Sequence, residues 1–346
     1  MKIFITADPI LPVPPKGYGG IERIVAALVR EYRTLGHEVA LMAKAGSTAK
    51  AEQQFEWPGN DVSGKLDTFK NGWALRRSVR AFAPDIVHSF SRLAYLGPLL
   101  PSRISKVMSY QRTVGSRQVR WARRLSRGTL RFTGCSEFIA TIGRRGGGKW
   151  RAIPNFVEID KYDFTPTVSR DAPLVFLSRI ESIKGPHLAI AMARKAGRRL
   201  ILAGNRPTNG DETAFFDREI APQLGRDDIE WIGEVDDAQK NALLGKAAAL
   251  LVPIQWDEPF GIVFVEALAT GTPIISCARG ALPEIVTPGR TGLFVSDVND
   301  GARAIAQLGT LDRASCRADA VNQFSARVCA EQYLALYSEM NTPFHA

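Results

Sequence analysis

The sequence predicts an α/β chain built from two doubly wound, parallel-sheet domains. Three observations carry that expectation. The length of 346 residues fits two domains at roughly 100–200 residues each. Short β-branched runs alternate with amphipathic stretches of helix length, as in βα units whose strands lie parallel. The alternation breaks once, at a proline-containing stretch near the middle, and then restarts.

Strands are expected at Lys2–Ala7, Glu38–Ala43, Asp85–Phe90, Lys106–Gln111 and Leu130–Gly134. Between the first two, Ile21, Ile24, Val25, Leu28 and Leu35 recur at helical spacing, which predicts a helix over Gly20–Leu35 that Gly36 stops. From Ile153 to Thr167 no helical period survives, so this stretch is expected to link a domain over 1–155 to one over 156–325. The second series of strands is expected at Leu174–Ser178, Leu200–Ala203, Ile229–Ile232, Ala249–Pro253, Pro273–Ser276 and Gly292–Val295. Helices are expected at Pro186–Ala196, Asp236–Lys246 and Gly261–Ala269, with a last amphipathic helix over Phe324–Met340. Ligands of such sheets bind outside the C-terminal strand ends, which makes the cleft between the domains the expected site.

With 45% hydrophobic and 23% charged residues the chain is not disordered. No apolar run reaches the ~18–20 residues of a membrane span, and the N-terminus reads as a strand and its loop rather than a signal peptide. The cysteines (Cys135, Cys277, Cys316, Cys329) form no CxxC pair, which suits a reducing cytoplasm and argues against a disulfide framework or zinc site. The net charge of +10 is concentrated: eleven Arg or Lys and one acid, Glu137, lie between Arg112 and Arg151. Such a block implies an anionic partner or, more simply, a solvated surface.

Three motifs carry chemistry. In PPKGYGGIERIV, Gly17, Gly19 and Gly20 precede a helix whose positive N-terminus can meet an anion, although a plain loop turn explains them as well. It is not the dinucleotide fingerprint, because the final spaced glycine is missing. In RIESIKG, Arg179 and Lys184 follow a strand end and can neutralise a diphosphate; a surface Arg–Glu–Lys cluster is the alternative. In EPFGIVFVE, Pro259 and Gly261 mark a helix start where the amides of Phe260, Gly261 and Ile262 can bind phosphate oxygens. Glu258 precedes that helix. Glu266 lies among Ile262, Val263, Phe264, Val265, Ala267 and Leu268, so its carboxylate needs a partner: ribose hydroxyls, or a structural salt bridge.

With these residues the chain resembles the retaining glycosyltransferases of family 4, which have a GT-B fold of two Rossmann-like domains facing a central cleft. The likeness runs through GYGGIE, IPNFVEIDKY, FLSRIESIKG, LAGN, EWIGEV, EPFGIVFVEALATGTPII and GLFV to FSARVCAEQYLALY, which is similar to the family's last helix; that helix, 326–346, is expected to complete the first domain. The resemblance implies that Gly19, Gly20 and Gly204 contact the donor and that Arg179 and Lys184 stabilise the leaving nucleoside diphosphate. It also implies that Glu258 holds the sugar, that Glu266 holds the ribose, and that Ile232, Gly233 and Val235 line the base pocket. A nucleoside-diphosphate-sugar is then a co-substrate and no cofactor is expected. With no Asp-x-Asp in the sequence, two cations and helix amides replace a bridging metal.

The sequence departs from the family at the end of its fourth strand, where Gln111 occupies the position of the usual His, followed by Arg112. Gln can hydrogen-bond a sugar hydroxyl but cannot share a proton near neutral pH. His88 is a candidate for acceptor contact, or a structural strand-end histidine. Competing readings are a sugar-nucleotide epimerase of the same architecture and a binding homologue that has lost transfer. Nucleic-acid binding lacks any reader motif. Finally, Arg117, Arg120, Arg124 and Arg127 form one stripe if their segment is helical, with Trp121 and Leu125 beside it. That pattern suits an anionic acceptor or peripheral contact with an anionic inner membrane surface, the alternative being a helix packed by Trp121 into its own domain.

Overall fold

The computed structural model describes residues 1–17, 19–61, 64–226 and 228–341. The chain forms two compact units, Met1–Phe156 with Ala326–Ala346, and Val157–Ser325.

The first unit holds strands β1 (Lys2–Thr6), β2 (Glu38–Ala43), β3 (Gln53–Glu56), β4 (Ile86–Ser89), β5 (Ser105–Tyr110), β6 (Leu130–Gly134) and β7 (Trp150–Ala152). Its helices are α1 (Gly20–Thr34), α2 (Lys65–Phe82), α3 (Ser116–Leu125) and α4 (Glu137–Arg144). The strands pair in parallel in the order β3-β2-β1-β4-β5-β6-β7. Ile3, Phe4 and Ile5 are fully buried, as are Val39–Met42, because helices cover both faces of a parallel sheet and leave no solvated side for polar alternation. The outermost strands, β3 and β7, escape the sequence reading: one is mostly exposed and polar, the other three residues long and half-buried, so neither shows an apolar run.

The second unit holds β8 (Leu174–Leu177), β9 (Leu200–Ala203), β10 (Ile229–Trp231), β11 (Ala249–Val252), β12 (Ile274–Ser276) and β13 (Gly292–Phe294). The helices that follow α4 are α5 (Pro186–Lys195), α6 (Gly210–Phe215), α7 (Asp237–Lys246), α8 (Ile262–Thr270), α9 (Leu282–Ile285), α10 (Val298–Ala306), α11 (Arg313–Phe324) and α12 (Ala326–Asn341). The parallel order is β10-β9-β8-β11-β12-β13. The expected last helix is α12, which begins at Ala326 rather than Phe324: Ser325 is extended and pairs with Val157, so α11 ends in the second unit while α12 belongs to the first.

Each sheet reverses its winding once, between β1 and β4 in the first unit and between β8 and β11 in the second. Loops leave the two strands of such a pair in opposite directions, which opens a crevice at their C-terminal ends where ligands of open α/β sheets bind.

Candidate active site

At the β8/β11 reversal two glycines bring the loops together. Gly204 has φ +147° and a Cβ there would stand 1.8 Å from the Ser178 carbonyl oxygen; at Gly185 (φ +76°) it would stand 2.2 Å from that of Pro253. Only glycine allows these approaches. As a result Lys184 Nζ reaches Glu258 Oε2 at 2.5 Å, both side chains being about nine-tenths buried. Trp256 Nε1 donates to the same oxygen at 2.9 Å, and Lys184 lies 4.7 Å from the Trp256 ring centroid. The Glu258 carbonyl is pinned in turn by the Ala281 N–H at 2.8 Å. Arg179, half exposed, donates to Glu181 at 2.5 Å.

Helix α8 begins beside this cluster. Gly261 takes φ +86° as its N-cap, and no side chain caps the helix. The N–H groups of Phe260, Gly261 and Ile262 have no acceptor among the described residues, so they are open at the helix start where the sequence places an expected anion contact. The Phe260 ring itself is buried, 6.0 Å from that of Phe324, so the backbone alone is presented. Glu266, four residues into α8, is not solitary. Lys240 Nζ donates to Oε1 at 2.5 Å and Tyr162 Oη donates to the same oxygen at 2.8 Å. The salt-bridge alternative is therefore present, and burial alone does not require a ribose; Oε2 has no hydrogen bond among the described residues. Across the sheet, the Gly204 N–H donates to the Gly233 carbonyl at 2.7 Å, with Ile232 exposed and Val235 half-buried next to it.

The β1/β4 reversal is built differently. Thr6 pairs with Ser89, and Ser89 with Met108. Asp8, Arg92 and Gln111 thus follow three neighbouring strands by two, three and one residues. Beneath them Thr6, Ser89 and Ser91 close a ring of hydroxyl hydrogen bonds at 2.9–3.0 Å. Asp8 Oδ1, Arg92 Nη1 and both amide atoms of Gln111 are buried and have no hydrogen-bond partner among the described residues. Each such group left unsatisfied costs about 1–3 kcal/mol. Burial pushes the Asp8 carboxyl up, against the pull of the Arg112 charge and of the Arg92 amide and charge. Glu22, on the first turn of α1 beside Gly19, is also pushed up by burial, with the Asp8 charge adding to the effect. No ion pair joins Asp8 or Glu22 to Arg92 or Arg112 among the described residues. Gly19 caps α1 and Gly20 opens it, with no side-chain cap.

Two expectations for the first unit are corrected. His88 cannot meet an acceptor: it is fully buried, Nε2 pairs with Ser109 Oγ at 2.6 Å and Nδ1 with Tyr337 Oη at 2.5 Å. Tyr337 Oη also meets Tyr32 Oη at 2.9 Å, so the histidine ties α12 to the sheet and to α1. Arg127 is not on the arginine helix, because α3 ends at Leu125 and Arg127 sits in a left-handed turn with φ +51°. Arg117, Arg120 and Arg124 do lie on α3, which docks through Val119 and Ala122 and leaves Trp121 58% exposed, against the alternative in which the indole packs inward.

Sequence reasoning missed Asp8, Arg92, Tyr162, Lys240 and Trp256. Asp8 and Arg92 carry the same signal that singled out Gln111, a polar residue just past a strand end. Tyr162 lies within IPNFVEIDKY. Lys240 has no local signal, since its partner is 26 residues away.

Comparison with known proteins places this geometry in a family. Residues 161–318 match the family described as glycosyl transferases group 1, and residues 18–161 match glycosyltransferase family 4. A D-inositol 3-phosphate glycosyltransferase of Mycolicibacterium smegmatis is 30% identical over 181 residues, 50% of this chain but only 41% of that protein, so the match spans about two-fifths of the relative's length. A phosphatidyl-myo-inositol mannosyltransferase of the same organism is 26% identical over 90% of this chain and 86% of its own. The crystal structure of AviGT4, a glycosyltransferase involved in avilamycin A biosynthesis, superposes with a TM-score of 0.73 at 27% identity, covering 98% of each chain. With the two family matches meeting at residue 161, and a solved relative of the same two-sheet architecture, the chain belongs to the group 1 glycosyltransferases of family 4 and has the GT-B fold.

Proposed function

We propose that the chain transfers a sugar from a nucleoside-diphosphate-sugar to a glycan, lipid-linked or small-molecule acceptor, with retained anomeric configuration and without a metal. The observation that carries this reading is the buried Lys184–Glu258 pair beside the open amides of Phe260, Gly261 and Ile262. An ammonium and three N–H groups suit a diphosphate, and a carboxylate at the same spot suits the hydroxyls of the attached sugar. In this reading Arg179 and Lys184 stabilise charge on the departing diphosphate. Gly19, Gly20 and Gly204 contact the donor, Glu266 takes the ribose through Oε2, and Ile232, Gly233 and Val235 line the base. The departing phosphate accepts the acceptor's proton, so Gln111 need only hold a hydroxyl. Thermal melting of the full chain with nucleoside diphosphates and their sugars tests it, since a ligand of the folded state raises the midpoint by mass action. Stabilisation by nucleotide-sugars but no transfer or donor hydrolysis would favour the binding homologue instead.

The acceptor reading extends to a surface. On α3, Arg117, Arg120 and Arg124 flank Trp121 and Leu125, which are 58% and 46% exposed; on α2, Leu66, Phe69 and Trp73 are also exposed and lie along one face at spacings of three and four. No helix among the described residues is long and apolar enough to cross a membrane. Exposed aromatics among cations suit the headgroup region of an anionic bilayer. The names of the two relatives, a D-inositol 3-phosphate glycosyltransferase and a phosphatidyl-myo-inositol mannosyltransferase, support an anionic or lipid-linked acceptor. Replacing Arg117, Arg120 and Arg124 by Gln should cost about 1 kcal/mol of attachment for each charge and leave donor binding unchanged. Co-sedimentation with anionic and neutral vesicles reads this; equal, negligible binding to both would remove the membrane reading.

A further inference from the structure

We propose that Glu212 is a positioning residue for Lys184: its carboxylate clamps Ser182 and so fixes the turn that presents the lysine to the donor diphosphate. The inference deepens the transferase reading and rests on it in taking Lys184 for a diphosphate contact.

Lys184 closes a single 3-10 turn, Ser182–Lys184, in the loop that follows β8, and no side chain from the preceding Glu181 caps that turn. The missing acceptor comes from α6, 30 residues away. Glu212 Oε2 accepts the Ser182 N–H and Oε1 accepts the Ser182 hydroxyl, both at 2.7 Å. Hydrogen bonds to an ionised carboxylate are the strong kind, and two of them to one residue fix its direction as well as its place. Ser182 passes that constraint to the lysine, because its carbonyl accepts the N–H of Gly185, the next residue after Lys184, at 3.1 Å.

The element that carries Glu212 is itself held. Asn209 caps α6 by accepting the Glu212 N–H at 3.0 Å, and Thr213 Oγ1 donates to the Asn209 carbonyl at 2.7 Å. The loop between β9 and α6 is tied to the lysine loop a second time, where the Ile180 N–H donates to the Asn205 carbonyl at 3.3 Å. On the other side the Gln255 N–H donates to the Ile183 carbonyl at 2.8 Å.

The Lys184–Glu258 pair cannot do the same work. It grips the ammonium, the group that must turn toward a diphosphate, so that contact loosens when the lysine is used. The Glu212 clamp grips the backbone two residues earlier and stays closed while the ammonium changes partner. A tether of that kind keeps the lysine aimed at no cost to its charge.

Calorimetric titration of the full chain with UDP, ADP and GDP tests the assignment on whichever binds best. Glu212→Ala should weaken that diphosphate about tenfold. Glu212→Gln should stay within about threefold of wild type, because its amide oxygen still accepts the Ser182 N–H and its NH2 can donate to the hydroxyl. In a Lys184→Ala background Glu212→Ala should cost nothing further, the non-additivity of two residues acting as one. A merely structural residue would cost the same factor in both backgrounds. That result, or a wild-type affinity in Glu212→Ala, would overturn the assignment. Should Glu212→Ala not fold, Ser182→Ala, which removes only the hydroxyl bond, takes its place in the same cycle with an expected loss of about threefold. Diphosphate binding that ignores the clamp removes the assignment and leaves the donor reading; no diphosphate binding by wild type removes both.

Discussion

At the β8/β11 reversal Glu181, Glu258 and Glu266 each meet a cation, from Arg179, Lys184 and Lys240. At the β1/β4 reversal Asp8 and Glu22 meet none among the described residues, although the Arg92 and Arg112 charges act on Asp8. The two sheets are alike in topology and their ends carry similar charges, so the difference lies in the spacing that the loops impose. Gly185 and Gly204 let the second unit's loops approach until an ion pair closes. A paired site holds its geometry by its own contacts, whereas an unpaired one bears a desolvation cost.

The largest effect expected concerns how deep the unpaired condition of the first unit goes. One layer below its edge, His88 is fully paired and burial lowers its pKa to about 3. A histidine depressed from 6.5 contributes stability that is fully present above pH 6.5 and is lost as pH falls toward 3, roughly 5 kcal/mol over the whole window. Urea unfolding between pH 7 and 4 should show a steeper loss in wild type than in His88→Asn; parallel curves would mean that the histidine is not the buried hinge of this layer.

Next comes the closed pair. Removing Lys184 leaves Glu258 buried and uncompensated, so Lys184→Ala should lose about 3–5 kcal/mol of stability as well as 10²–10³ in turnover on the order expected for one electrostatic stabiliser. The double variant Lys184→Met, Glu258→Gln should recover much of the stability and none of the turnover. Wild-type stability in the single variant would show that water reaches the pair.

Tyr162 and Lys240 sharpen the comparison at smaller scale. Glu266→Gln should weaken donor affinity more than it slows the chemical step, as loss of uniform binding does. Tyr162→Phe removes a single hydrogen bond, about 1 kcal/mol, and should move the same constant in the same direction. Calorimetric titration with donor reads both; a stability loss with unchanged affinity would make the Glu266 cluster purely structural. The smallest effect has the opposite sign. Because burial raises the Asp8 carboxyl, its ionised form opposes folding above its unfolded pKa, and Asp8→Asn should raise stability by about 0.5–2 kcal/mol, the range of a relieved functional strain. A destabilised Asp8→Asn would mean that the carboxylate is satisfied.

The legible part of this protein is the part written locally. The strands of the sheet interiors, β1, β2, β8 and β11, read as continuous apolar runs because helices cover both their faces. The start of α8 read correctly because Pro259 and Gly261 constrain the backbone next to the site itself. Edge strands β3 and β7 did not, since a half-exposed strand has no such run. His88 misled because a strand-end histidine looks the same from the sequence whether its ring faces a ligand or Tyr337 from the far end of the chain, 249 residues away.

The sequence by itself determined the two-sheet class and the place of the glycine turns, both of which depend on periodicity and on backbone freedom within a few neighbours. Only the tertiary structure decided which charges meet. Lys184 and Glu258 are 74 residues apart and Lys240 and Glu266 26 apart, and they close only once their strands and helices are packed. Asp8, Arg92 and Gln111 come from three strand ends and remain open. Pairing depends on ångström distances between loops, and those distances are set by the packing of whole elements rather than by any stretch of chain that carries the residues.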